Sequence, residues 1–168
     1  MNDISTSLIN VAQQAHCILK SNKLSLAVAE SCTGGLIASA IVSIAGASEF
    51  FKGSAVCYCD VAKNKILNVK KETLDTFFAE SPECAIEMAS GAKNIYGSSL
   101  AISSTGFLDA NTAPKPIELG GKVFICLCGD VRGRKIEISK IIALDVDNDR
   151  NQNRTLVAIE ALKLLEEI

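Results

Sequence analysis

Residues 24–45 read LSLAVAESCTGGLIASAIVSIA (Leu24 to Ala45), and the fold turns on this stretch. Leu24 to Ala29 is a short apolar run with the length of a buried strand. Leu36 to Ala45 has the composition of a helix, which Gly46 with Ala47 and Ser48 would end. Between them lies the turn Glu30-Ser31-Cys32-Thr33-Gly34-Gly35. A strand, a Ser/Thr/Gly turn and a helix aim several backbone N–H groups and the positive end of a helix dipole at one point, where an anion or a developing oxyanion is stabilised. The plainer alternative is that Ser31 or Thr33 caps the helix and the glycines merely permit the turn. No Gly-Lys-Ser/Thr follows, so this is no Walker loop, and the Gly-x-Gly-x-x-Gly spacing of a dinucleotide site is absent.

On either side the pattern alternates. Ser5 to Lys20 carries Leu8, Ile9, Ala12, Ala15, Ile18 and Leu19 at helical spacing. Ser54 to Cys59 reads as a second strand, and Asp60 as the cap of a helix through Leu67. Ser81-Pro82-Glu83 starts a helix, with proline at its first position, that runs to Gly97. Leu100 to Ser103 is a third strand. Residues 106 to 120 read as a loop, and Lys122 to Cys128 and Lys135 to Leu144 as strands that Gly129 to Gly133 joins in a hairpin. Asn148 to Ile168 forms a closing amphipathic helix. Strands interleaved with helices and followed by a hairpin predict an α/β fold, a three-layer α/β/α sandwich with a mixed sheet. Ligands in such sheets sit beyond the carboxyl ends of strands. Both the Ser31 turn and the segment Tyr58 to Lys63 fall at such ends.

The length of 168 residues suits one domain over 1–168. With 48% hydrophobic residues, 5% aromatic and no Trp, the core must be built from Ile, Leu, Val, Ala and Cys, and small side chains imply close helix–sheet packing. A net charge of -2 with dispersed lysines gives nucleic acid no electrostatic footprint. Neither a secretory leader nor a membrane-length apolar run is legible, so a soluble, cytoplasmic protein is expected. The seven cysteines include the pairs Cys57/Cys59 and Cys126/Cys128. That spacing, with His16 the one histidine, fits zinc poorly, and it puts each pair on one face of a strand. No metal is expected, and a reducing compartment would keep the thiols free.

The run Ala29-Glu30-Ser31-Cys32-Thr33-Gly34-Gly35 resembles the signature of the CinA C-terminal domain family, whose characterised enzymes include nicotinamide-nucleotide amidases. The likeness extends through Ile44 to Ser48, Tyr58 to Lys63, Glu87 to Ala92, Ser104-Thr105-Gly106, and Asp149-Arg150 with Arg154. It implies hydrolysis of the carboxamide of nicotinamide mononucleotide to nicotinic acid mononucleotide and ammonia. It also implies no cofactor, a pyridine nucleotide as small-molecule partner, and a homo-oligomer.

Ser31 would then be the nucleophile. His16 is remote in sequence from every pocket element, which argues against a Ser-His-Asp triad. Lys63 is the better candidate base, because an amine in the first turn of a helix lies at the positive dipole end, where a further positive charge is disfavoured. Its structural alternative is a solvated lysine beside Lys65. Tyr58 would relay the proton or hold the lysine, or else serve as a core aromatic. Amides around Thr33 and Gly34, beside Gly35, would receive the oxyanion. Arg150 and Arg154 would hold the phosphate, since a guanidinium fork matches its geometry, or else pair with Asp147 or Asp149. Thr105 would hydrogen-bond the substrate, and Glu30 would brace the turn. Cys32 is a rival nucleophile, because a helix N-terminus generally activates a thiol.

The likeness breaks at residues 107–119. Where the family continues with a glycine-rich segment, this chain reads Phe107-Leu108-Asp109-Ala110-Asn111-Thr112-Ala113-Pro114, and Glu118-Leu119 stand as an insertion before Gly120-Gly121. Side chains in place of glycines reshape or narrow a pocket. A catalytically silent paralogue that binds a nucleotide or a protein partner is therefore the second reading.

Overall fold

The computed structural model describes residues 4–109 and 119–168. Most of the loop expected over 106–120, with its proline-bearing half, lies outside the described residues. Helix α1 (Ile4–Asn22) leads into β1 (Leu26–Glu30), α2 (Leu36–Val42), a short 3-10 turn (Ala47–Glu49) and β2 (Phe51–Val56). Next come α3 (Asp60–Leu67), α4 (Lys71–Phe77), α5 (Pro82–Tyr96) and β3 (Leu100–Gly106). The hairpin β4 (Lys122–Val131) and β5 (Arg134–Ala143) precedes α6 (Arg150–Lys163), and a 3-10 turn over Leu164–Glu167 ends the chain.

One five-stranded sheet runs in the order β2-β1-β3-β4-β5. Strands β2, β1 and β3 are parallel, whereas β4 and β5 join antiparallel. The sheet is mixed, as expected from a hairpin following βα units.

Period-two alternation divides the core between the two faces. Leu26, Val28, Leu100, Ile102, Val123, Ile125 and Leu127 pack with α1, α2 and α6. Ala27, Ala29, Ala101, Phe124, Cys126 and Cys128 pack with α5 and its neighbours. Small residues on this second face let α5 approach closely. Helix α5 also meets the end of α3 closely: a Cβ at Gly91 would lie 1.9 Å from the Leu67 carbonyl oxygen, so only glycine fits. Among the described residues no helix is long and apolar enough to cross a membrane.

Several local expectations change. The second strand runs over Phe51–Val56 and stops before the cysteines, so Cys57 and Cys59 do not share a strand face: Cys57 is buried and Cys59 exposed. Cys59, not Asp60, is the N-cap of α3, and no side chain caps that helix. Helix α4 has no counterpart in the sequence reading. The hairpin turn is tighter than expected: Arg132 and Gly133, both at positive φ, form the two-residue turn that matches strand twist. Ser81 and Asp149 cap α5 and α6 through their side chains.

Candidate active site

The carboxyl end of β1 is where the chemistry-bearing residues meet. Glu30 pairs in register with Val56 on β2 and with Ser104 on β3, so Ser31 emerges just beyond the ends of β1 and β2, while β3 runs on to Gly106. The Ser31 amide donates to the Ser104 carbonyl at 3.0 Å, which fixes the start of the turn. Gly34 and Gly35 follow at φ +61° and +94°, values that side-chain-bearing residues rarely adopt.

Glu30 is fully buried, and its carboxylate organises the turn. It accepts from the amides of Gly35 (2.9 Å), Ile37 (3.1 Å) and Ala38 (2.9 Å), with Ser54 Oγ at 3.5 Å. These are the otherwise unpaired donors of the first turn of α2, so a side chain from the preceding strand caps the helix. The bracing expected of Glu30 is thus a helix cap.

Lys63 sits in α3 and is 1% exposed, with Ser31 at 6%. Its Nζ donates to Ser31 Oγ at 3.0 Å. That is hydrogen-bond distance, and with the amine neutral the same contact lets the serine O–H donate to nitrogen. A solvated Lys63 is excluded by its burial. Helix α3 brings it there by starting directly after β2, with the Lys63 amide bonded to the Cys59 carbonyl.

Glu80 is the neighbour that sequence reading missed. It is half-buried between α4 and α5, and its carboxyl is raised above the ordinary glutamate range by burial, opposed by Lys63 and reinforced by Asp60. No sequence signal marks it, since it merely precedes the Ser81-Pro82 helix start.

Cys32 behaves opposite to expectation. Its thiol is pushed up to about 12, because burial outweighs the Ser104 hydrogen bond and the nearby Lys63 charge. Desolvation beats the helix terminus here, so the rival nucleophile is a protonated core thiol.

Three further expectations are corrected. Thr105 is fully buried and its hydroxyl donates to the Ala79 carbonyl at 2.7 Å, so it ties down the loop that carries Glu80, and its one proton is committed there and not to substrate. Tyr58 is 64% exposed, and its hydroxyl accepts from Arg150 Nη2 at 3.3 Å, not from Lys63. The Gly34 amide, expected at an oxyanion, donates to the Ser31 carbonyl at 3.1 Å. Of the amides from Thr33 to Ala38, that of Thr33 alone bonds to no group among the described residues. The Thr33 side chain shares a 2.7 Å hydrogen bond with Ser104 Oγ.

Helix α6 supplies the rim. Arg154 Nε donates to the Thr33 carbonyl at 3.3 Å, and Arg150, one turn earlier, is exposed. Arg150 Nη1 pairs with Asp109 Oδ2, so its partner is neither Asp147 nor Asp149. Asn153, fully buried, donates to the Leu108 carbonyl at 2.8 Å and anchors the chain just before Asp109. Among the described residues no three His, Cys, Asp or Glu side chains gather as metal ligands.

Comparison with known proteins gives consistent matches. The profile of the CinA C-terminal domain matches residues 8–168. A CinA-like protein of Syntrophomonas wolfei is 42% identical over 153 residues, 90% of this chain and 34% of that protein. A second, from Kosmotoga olearia, is 41% identical over 147 residues, 86% of this chain and 34% of that protein. The chain therefore spans about a third of the length of these relatives. Among solved structures, a competence/damage inducible protein from Agrobacterium tumefaciens superposes with a TM-score of 0.86 at 30% identity, covering 96% of this chain and 94% of that one. A CinA superfamily protein from Escherichia coli gives 0.83 at 27%, covering 99% and 91%.

Proposed function

Because the chain belongs to the CinA C-terminal domain family, we propose that it is an amidohydrolase in which Ser31 and Lys63 convert nicotinamide mononucleotide to nicotinic acid mononucleotide and ammonia. One observation carries this reading: a buried lysine amine 3.0 Å from a buried serine hydroxyl at the end of parallel strands. A buried lysine with no carboxylate partner within ion-pair distance among the described residues is costly as a purely structural element. It is the arrangement a serine nucleophile needs when no histidine is at hand.

In this mechanism neutral Lys63 Nζ takes the Ser31 proton as Oγ bonds to the carboxamide carbon. The carbonyl π electrons move onto oxygen, and the Cys32 and Thr33 N–H groups, which have no oxygen acceptor among the described residues, are the donors nearest in sequence to receive that charge. Lys63 ammonium then returns the proton to the departing nitrogen, the C–N bond breaks and ammonia leaves an ester on Ser31. Water, deprotonated by Lys63, attacks the ester and restores the hydroxyl. Arg150 on the rim takes the phosphate through its guanidinium fork. Tyr58, bonded to Arg150, belongs to this rim and not to the proton path.

The test is ammonia release from nicotinamide mononucleotide by wild type, Ser31→Ala and Lys63→Met. Both variants are expected to lose about 1,000-fold or more in kcat, as removal of a nucleophile or its base does. Retained turnover in either variant would remove that residue from the mechanism.

The second reading, a silent paralogue that binds a nucleotide or a protein partner, draws on the altered sequence over 107–119, in which side-chain-bearing residues stand in place of the family's glycines. Binding of nicotinamide mononucleotide without ammonia release would favour it.

A further inference from the structure

Among the described residues Asp109 is the carboxylate bonded to the rim guanidinium, and it belongs to the segment in which this chain departs from its family. Arg150 has both terminal nitrogens engaged: Nη1 by Asp109 and Nη2 by the Tyr58 hydroxyl at 3.3 Å. The backbone beneath Asp109 is held independently of that pair. Phe107 N–H donates to the Lys122 carbonyl at 2.9 Å, and the Leu108 carbonyl accepts from buried Asn153. Asp109 is thus presented to Arg150 by a fixed backbone.

We propose that Asp109 sets the affinity of this site for phosphate, its carboxylate occupying the Arg150 guanidinium until a phosphate displaces it. The inference rests on the reading of Arg150 as the phosphate's partner. The pair is suited to exchange from its arginine side, because the Arg150 side chain is 43% exposed and open to an incoming anion, while Asp109 is 18% exposed. A phosphate dianion offers the guanidinium two oxygens and a larger charge than a carboxylate. Yet the displaced carboxylate stays nearby on its anchored backbone and repels the incoming phosphate. The site therefore takes a phosphorylated amide less tightly than Arg150 alone would allow, and the unphosphorylated nucleoside amide escapes this penalty.

The experiment compares KM for nicotinamide mononucleotide with KM for nicotinamide riboside, which differs only by the phosphate. Asp109→Asn is expected to shift the ratio of the two KM values about tenfold toward the mononucleotide, the scale of one unit charge at close range near a protein surface. The shift should shrink at high ionic strength and be clearly smaller when Arg150→Gln is already present, because competition for the guanidinium is then gone and only the repulsion remains. A ratio that stays fixed, or shifts equally in the Arg150→Gln background, overturns the role. If neither compound releases ammonia, the amidase reading falls separately, and calorimetric titration with inorganic phosphate decides on Asp109. Tighter phosphate binding in Asp109→Asn sustains the proposal, and unchanged binding overturns it.

Discussion

The turn after β1 and the rim contributed by α6 lie side by side, yet they hold their polar groups in opposite ways. In the turn, Glu30, Ser31, Thr33, Ser104 and Lys63 are all buried, and nearly every donor is committed to a partner within the fold. On the rim, Tyr58, Arg150 and Asp109 meet at the surface, where water competes with every contact. A hydrogen bond out of water is costly to break, because the stranded group keeps its full desolvation penalty. One in contact with water is cheap to exchange. The turn is therefore suited to hold reacting atoms still, and the rim to trade partners.

That contrast is tested most severely at Glu30. Glu30→Gln keeps one acceptor oxygen but turns an amide NH2 toward the backbone N–H groups of Gly35, Ile37 and Ala38, leaving buried donors unmatched. The expected cost is about 3 kcal/mol of stability, read as a lower urea midpoint, since charge-assisted bonds and stranded donors are both involved. A loss below about 0.5 kcal/mol, the size of an ordinary surface substitution, would show that the turn is no more tightly held than the rim.

A smaller effect is expected at Cys32. Truncation to alanine removes a buried sulfur from the core and should cost about 1 kcal/mol, while turnover persists because the thiol stays protonated. At pH 8 a small alkylating reagent should label exposed Cys17 and Cys59 and spare Cys32. Rapid labelling of Cys32, or loss of turnover in Cys32→Ala, would return it to the list of nucleophiles and make the turn more open than its burial suggests.

How legible these two regions were from sequence differs for the same physical reason. The Ser31 turn could be read because its strand, glycines and following helix are contiguous, and Lys63 because its helix follows directly on a strand. The three-layer fold was legible because hydrophobic periodicity is a local signal. What escaped depends on contacts made across the chain. Asp109 and Arg150 are 41 residues apart, Tyr58 and Arg150 are 92 apart, and Thr105 reaches the Ala79 carbonyl 26 residues away. Cys32 was misjudged because sequence displays the helix terminus but not the depth of burial. Helix α4, seven residues with Thr73 and Leu74 alone buried, has too short an apolar face for its period to stand out.

The smallest expected effect concerns Glu80, which stands between the two regions: partly covered like the turn, yet within reach of water like the rim. Burial raises its carboxyl above the ordinary range, and the attraction of Lys63 only partly offsets this. A carboxyl raised on folding lends stability while protonated. That contribution is complete below the unfolded-state value and is lost as pH climbs through the folded one. At neutral pH the ionised group is therefore a net cost. Glu80→Gln should be more stable than wild type at pH 7, by no more than about 1 kcal/mol because solvent screens a half-exposed group. The gap should close as pH falls toward 3. Urea midpoints at several pH values measure it directly. A variant less stable than wild type at pH 7 would mean that the pull of Lys63 exceeds the cost of burial. Glu80 would then count as a working counter-charge of the lysine and belong with the turn.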